Sequence, residues 1–368
     1  MHQKHPKLAR PAIGAYGRTE FALVGSTCER MEALMSEWVA VLSDRYRCLT
    51  VVGEHGQPEE PARLRYGTKR FATAHDDWNE YDDRLLGQHF DLVLVNGNHY
   101  PASRQIVFVD DKKAGTLDRR RAQLTDIFAV VYVTGDRSMP PWLSELCASQ
   151  DRPPVMTSVS LLQPVLVALA EELAKNVPPL RALVLAGGAS SRMGTDKGQI
   201  VYRNGETELE RLTHLCLEVG APPSISVRRR PAVDQTSFPL VEDRFLGLGP
   251  AGAICSAFLT DPNAAWLVLA CDLPLLDEST LSELIEARNP CRYATAARGP
   301  GNEWPEPLVA IYEPRAYPRL LQFLSLGYSC PRKFLINSDV EVVDLEDGTP
   351  LINANTPEER ERVRQLLK

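Results

Sequence analysis

Along the chain, short continuous apolar runs rich in Val, Ile and Leu alternate with stretches in which apolar residues recur every three or four positions. Continuous runs suit strands buried on both faces of a parallel sheet, and the three-to-four spacing suits helices with one buried face. In the first part of the chain this pattern predicts strands at 20–25, 48–53, 91–97, 105–110 and 127–135, with helices at 28–43, 78–87 and 159–175. In the second part it predicts strands at 181–186, 224–228, 238–242, 265–271, 293–297 and 306–312. The helices expected there are 207–219, 250–260, 278–288, 314–326 and 357–367. Helix 207–219 places Leu209, Leu212, Leu215, Cys216 and Val219 on one face. The alternation of strand and helix is that of an α/β protein.

A boundary falls near residue 177. The apolar helix 159–175, with a bend expected at Pro164, runs into Pro178-Pro179, and a new strand follows at Arg181. A proline pair between helix and strand marks a hinge. The 368 residues suit two domains, 1–177 and 178–368. The net charge of −7 argues against a general nucleic-acid binder. Two basic runs, Arg119–Arg121 and Arg228–Arg230, read either as solvated faces or as phosphate contacts. The eight cysteines form no C-x-x-C pair, which argues against zinc, and Cys216, Cys255 and Cys271 sit inside apolar runs as small hydrophobes, which points to a reducing compartment. No apolar stretch follows the basic N-terminal residues and none is long enough to span a bilayer, so a cytoplasmic protein is expected.

The richest candidate chemistry lies in LVLAGGASSRMGTDKG, Leu183 to Gly198. A buried strand turns through Gly187 and Gly188, then offers Ser190, Ser191, Arg192 and Lys197. Such a turn is either structural or a phosphate cradle whose backbone N–H groups point at an anion; Arg192 and Lys197 favour the cradle. Within this stretch neither G-x-x-x-x-G-K-[ST] nor G-x-G-x-x-G occurs. In ACDLPLL, Asp272 follows an apolar strand, where a carboxylate beside a triphosphate is a natural Mg²⁺ ligand. The alternative is a cap for the helix near Asp277, and Asp272 stands too far ahead of that helix for a simple cap. VEDRFLGLGPAG brings Glu242, Asp243 and a glycine-rich turn in which Pro250 suits a first helical position and Gly252 permits close approach of a ligand. In INANTPEE, Thr356 and Glu359 read as a capping box, leaving Asn353 and Asn355 for ligand work. Glu306 reads equally as a substrate contact or a solvated strand end.

In this order, LAGGASSRMGTDKG, VEDRFLGLGPAG, ACDLPLL, EPLVAIY and INANTPEE resemble the molybdenum cofactor guanylyltransferases, within the glycosyltransferase-A-like nucleotidyltransferases. The resemblance covers about residues 180–368 and implies a Rossmann-like, three-layer α/β/α domain. It implies that Leu185, Ala186 and Gly187 line the nucleotide and that Gly187 and Gly188 lie under its phosphates. Lys197 would contact the phosphates, Arg192 would clamp the outgoing pyrophosphate, and Asp272 would hold Mg²⁺. Asp243 would help read the base, and Asn353 and Asn355, with Glu306, would lie on the pterin side. The implied reaction joins GMP from GTP to molybdopterin and releases pyrophosphate, with molybdenum enzymes or their chaperones as further partners. One position departs: the family's guanine-reading asparagine at the end of the second strand is replaced here by Arg228, which can hydrogen-bond guanine O6 and N7. A cytidylyl or sugar-1-phosphate transferase and a non-catalytic cofactor adaptor are the rival readings.

Residues 91–111, DLVLVNGNHYPASRQIVFVDD, resemble the molybdopterin-guanine dinucleotide biosynthesis adaptor protein, which has a P-loop fold. The first strand here leads into only Gly25, Ser26 and Thr27, with no lysine, and Asn96 stands where an acid is expected. Residues 1–177 therefore read as a degenerate three-layer P-loop-like domain, a scaffold or docking unit without NTP hydrolysis. Fusion would keep the two halves at high effective concentration.

Overall fold

The structure, a computed structural model, describes residues 19–53, 63–66, 69–72, 82, 86–87, 89–133, 138–175, 177–186, 197–229 and 236–367. The chain falls into two compact units, one within residues 13–177 and one within 178–368.

The first unit is built on a six-stranded sheet of order β2-β5-β1-β6-β7-β8, every neighbour parallel. Its strands are β1 (Thr19–Val24), β2 (Cys48–Val51), β5 (Leu92–Asn96), β6 (Arg104–Val109), β7 (Ile127–Tyr132) and β8 (Val155–Ser158). A hairpin of β3 (Arg63–Tyr66) and β4 (Lys69–Ala72) lies apart from it. The helices are α1 (Cys28–Leu42), α2 (Ala114–Arg119), α3 (Pro141–Ala148) and α4 (Gln163–Lys175). Strands β3, β4 and β8 and helices α2 and α3 have no counterpart in the sequence reading. Helix α4 begins at Gln163, so Pro164 occupies its first turn, where a missing N–H costs nothing, and no mid-helix bend arises. The helix expected over 78–87 lies mostly outside the described residues.

In the second unit, seven strands take the order β13-β12-β9-β14-β16-β15-β17. They are β9 (Leu180–Leu185), β12 (Pro223–Val227), β13 (Leu240–Glu242), β14 (Ala265–Ala270), β15 (Ala294–Arg298), β16 (Val309–Tyr312) and β17 (Val340–Asp344). Only β16 runs antiparallel to its neighbours. A two-stranded ribbon, β10 (Val201–Arg203) and β11 (Glu206–Thr207), leads into α5 (Glu208–Glu218). Then come α6 (Pro250–Thr260), α7 (Glu278–Glu286), α8 (Ala316–Ser325), α9 (Pro331–Ile336) and α10 (Pro357–Leu366). The sequence reading lacked β10, β11, β17 and α9.

The sheet is buried on both faces, and its side chains alternate between two cores. From β14, Ala265, Leu267 and Leu269 pack with Leu212, Leu215, Leu281 and Leu284 of α5 and α7. Trp266 and Val268 pack on the opposite face with Ile254, Phe258, Leu320 and Phe334 of α6, α8 and α9. Helices on both faces of a mostly parallel sheet make the three-layer α/β arrangement. Each fully buried large side chain stabilises the fold by about 1.5–3 kcal/mol.

The order also fixes where ligands can go. After β9 the chain builds outward to β12 and β13, then returns to place β14 on the other side of β9. Between β9 and β14 the strand order reverses, and the crevice outside such a switch point is the usual ligand site of open α/β sheets.

Candidate active site

Leu185 pairs with Ser226 on one side and Ala270 on the other, so the turn after β9 and the loop after β14 leave the sheet at the same edge. Leu185 and Ala186 are half-buried at the end of β9. Gly187, Gly188 and Arg192 lie outside the described residues. The chain resumes at Lys197, in a short 3-10 turn.

Lys197 Nζ lies 3.2 Å from Asp272 Oδ2. It also donates a hydrogen bond to Asn355 Oδ1. The side chains of Lys197 and Asp272 are 26% and 19% exposed, so the pair is accessible yet partly shielded from water. The backbone reinforces the meeting: Ala354 N donates to the Asp272 carbonyl at 2.8 Å, tying the Asn353–Asn355 segment to the loop after β14. Asn353 is half-buried and Asn355 is exposed. Immediately after, Thr356 and Glu359 form a reciprocal capping box at the start of α10, and Glu359 Oε2 also accepts from Asn355 N at 2.6 Å. The cap thus sets the backbone from which Asn355 reaches Lys197. Asp277 caps α7, accepting from Thr280 N at 2.9 Å, which leaves Asp272 with no capping duty.

Glu306 comes to the same edge because β16 enters the sheet in the opposite sense. Its N–H donates to Ala297 O at 2.7 Å, and its carboxylate meets Arg332 at 3.2 Å and the Leu308 N–H at 3.3 Å. Burial, joined by the negative charge of Asp272, pushes the Glu306 carboxyl above the ordinary glutamate range, against the pull of Arg332 and the Leu308 N–H.

Two further positions lie at the ends of the outer strands. Arg228 is exposed directly after β12. Asp243 follows β13, and its N–H donates to Val227 O at 2.9 Å, so it neighbours Arg228 across the strand ends. Asp243 Oδ1 accepts from Phe245 N at 2.9 Å and from Ser256 Oγ at 3.1 Å. Gly252 is buried beneath that loop, where an added Cβ would lie 2.3 Å from the Phe245 carbonyl oxygen. The close approach at Gly252 is therefore made by the chain's own backbone.

The sequence reading missed the support of the Asp272 loop. Arg211 on α5 is buried; its guanidinium pairs with buried Glu208, with Nε 2.9 Å from Oε2. The same group donates to Leu276 O at 2.7 Å and Leu273 O at 3.2 Å, and Arg203 reaches Pro274 O at 3.4 Å. Burial pushes the Glu208 carboxyl up while Arg211 opposes it. Two arginines thus fasten the carbonyls of Leu273, Pro274 and Leu276 and hold Asp272 at the strand end. Tyr202 on β10 feels Asp272 and also Arg360 and Arg364 of α10; burial raises its hydroxyl. Arg360 keeps two guanidinium nitrogens buried without a hydrogen-bond partner. Among the described residues no cluster of three or more His, Cys, Asp or Glu gathers as a metal cage.

Residues 182–341 match the family described as MobA-like NTP transferase domain. A probable molybdenum cofactor guanylyltransferase of Opitutus terrae is 34% identical over 202 residues, covering 52% of this chain and 97% of the relative. A molybdenum cofactor biosynthesis bifunctional protein of Synechocystis sp. is 30% identical over 186 residues, and this chain spans 52% of its length and is itself 49% covered. Among solved structures, molybdopterin-guanine dinucleotide biosynthesis protein A of Archaeoglobus fulgidus aligns over 51% of this chain and 98% of its own, at 20% identity and a TM-score of 0.44.

Proposed function

Because this chain belongs, through its second unit, to the MobA-like NTP transferases that include the molybdenum cofactor guanylyltransferases, we propose that it transfers GMP from GTP to molybdopterin and releases pyrophosphate. The observation that carries this reading is the meeting of Lys197, Asp272 and Asn355 at the switch point of the sheet.

The reaction asks little covalent work of the protein. The acceptor phosphate is already an anion, so it attacks the α-phosphorus without a strong base, and pyrophosphate departs. Rate then depends on holding the two anions in line and on neutralising the charge that builds up. Lys197 supplies a fixed cation for the triphosphate. Its ammonium is held between a carboxylate and an amide oxygen, so little reorganisation is needed when the nucleotide arrives. Leu185 and Ala186 would line the nucleotide, with Gly187 and Gly188 under its phosphates and Arg192 on the leaving pyrophosphate. Arg228, exposed where the outer strands end, would face the base and Asp243 beside it would fix its neighbourhood. Gly252 would contribute through the loop it supports. Glu306, Asn353 and Asn355 would face the pterin.

Asp272 would hold Mg²⁺. Magnesium is commonly bound by one or two carboxylates, with substrate phosphates and water completing its shell, so a single half-buried aspartate fits an ion that arrives with the nucleotide. When bound, the ion would polarise the phosphates as a Lewis acid.

The first unit would serve as a scaffold or docking surface, with molybdenum enzymes or their chaperones as partners. Among the described residues no helix is long and apolar enough to cross a membrane.

The test is pyrophosphate release by the full chain with molybdopterin and Mg²⁺, each of GTP, CTP, ATP and UTP supplied in turn. GTP-selective release that depends on molybdopterin supports the reading. Selective use of CTP would move the chain to the cytidylyltransferases, and binding of no nucleotide would leave an adaptor.

A further inference from the structure

In the first unit, three side chains from two segments converge where β1 and β5 end. Cys28 is the first residue of α1, a fifteen-residue helix capped by Thr27, whose hydroxyl accepts from Arg30 N at 3.3 Å. Cys28 Sγ lies 3.5 Å from His99 Nε2 and 3.4 Å from Asn98 Nδ2, and both partners follow β5. Cys28 and His99 are half-buried, so a small molecule can reach them.

The cluster is built rather than incidental. Asn98 Nδ2 also donates to Ser26 O at 3.0 Å, so its amide cannot turn over without setting two acceptors together. Arg120 clamps the segment by donating to the carbonyls of Gly97, at 2.8 Å, and Asn98. Asn96, wholly buried, holds the start of the turn by donating to Glu32 at 2.8 Å and accepting from Asn98 N at 3.1 Å. The imidazole has its own seat at Gly53, where an added Cβ would meet the ring at 2.4 Å. Separately, Asn98 Oδ1 is buried with no hydrogen-bond partner, a deficit that an N–H of a bound molecule would repair.

Among the described residues, Arg30 and Asp110 are committed to each other. Arg30 pairs with Asp110 at 2.9 Å, and Ser26 Oγ donates to the same carboxylate oxygen at 3.0 Å. The thiol faces the imidazole at His99 Nε2.

We propose that Cys28 and His99 form a nucleophile–base pair that takes up a small-molecule disulfide by thiol–disulfide exchange. Cys28 Sγ attacks one sulfur of the disulfide as its proton passes to His99 Nε2. A bond forms between Sγ and that sulfur, the original S–S bond breaks, and the departing thiolate takes the proton from His99. The products are a mixed disulfide on Cys28 and one free thiol. The Asn98 amide N–H and the open first turn of α1 face the negative charge that develops on Sγ.

The experiment treats the full chain with dithiodipyridine at neutral pH and follows each cysteine by peptide mapping. Cys330 is exposed and serves as the reference, with half-buried Cys48 and Cys291 as further controls. Cys28 is expected to react about tenfold or more faster than Cys330, and His99→Gln is expected to remove that advantage, in keeping with general-base catalysis. Gly53→Ala, which displaces the imidazole, is expected to slow Cys28 alone and stands in should His99→Gln fail to fold. A Cys28 no faster than Cys330, or a fast Cys28 indifferent to these variants, overturns the proposal.

Discussion

Lys197 Nζ stands 3.2 Å from Asp272 Oδ2, a contact between residues 75 positions apart. The separation matters because the two side chains come from different structural sources. Asp272 is fixed by the end of β14, and Lys197 by the turn that leads into β10. Their meeting brings a cation and a carboxylate to the switch point of the sheet, where the proposed reaction would need both.

Asp272→Asn keeps the shape of the side chain and removes its charge. The pyrophosphate-release rate should fall by about 100-fold or more, the usual scale for losing a positioned electrostatic group. The thermal midpoint should stay near that of the wild type. Near-normal turnover would remove Asp272 from the proposed metal site.

Lys197→Met should lower the rate by a similar factor of about 100 and weaken nucleotide binding measured by calorimetry. Loss of the cation also leaves Asp272 and Asn355 without their shared partner. If binding and turnover both persist, the triphosphate lies elsewhere.

Arg211→Met should destabilise the second unit by about 3–5 kcal/mol, because Glu208 would be left buried without its counter-charge. Urea titration reads this directly. The double variant Glu208→Leu with Arg211→Met should recover stability but not turnover, since the carbonyls of Leu273 and Leu276 would still lack their donor. Full recovery of both would make the pair a packing feature with no positioning role.

Glu306 provides a pH test. Its folded-state carboxyl is raised from the model-compound value of 4.5, so the fold favours the protonated form. That contribution is complete below the unfolded value and is lost as pH rises through the folded value. Wild-type stability should therefore fall relative to Glu306→Gln as pH rises above about 4.5. A difference in melting temperature that does not change with pH would contradict this.

Much of the second unit was legible from residue order. The apolar run at 265–271 gave β14 and both of its cores, and Pro250, Thr356 and Asp277 stand at the helix starts where such residues belong. Lys197, Asp272 and Asn355, singled out separately in the sequence, meet in space. The short ribbon β10–β11 and edge strand β17 escaped because they bury few side chains and so carry little periodic signal. Arg211 escaped for a different reason. On an amphipathic helix, an arginine among glutamates reads as a solvated face, and only the tertiary fold shows it buried against Glu208 and the Asp272 loop. In the first unit, Asn96 drew attention as a missing acid, yet Asp110, one strand beyond β1, is the acid that meets Ser26. Sequence order does not show which strand end will lie beside a turn.

The most direct measurement of the central claim uses GTP labelled at its α-phosphate, with molybdopterin, Mg²⁺ and the full chain. The account predicts that the label appears in a pterin product in step with pyrophosphate release, and that Lys197→Met abolishes both. Label that never reaches the pterin, or that reaches it unchanged in the Lys197 variant, would contradict it.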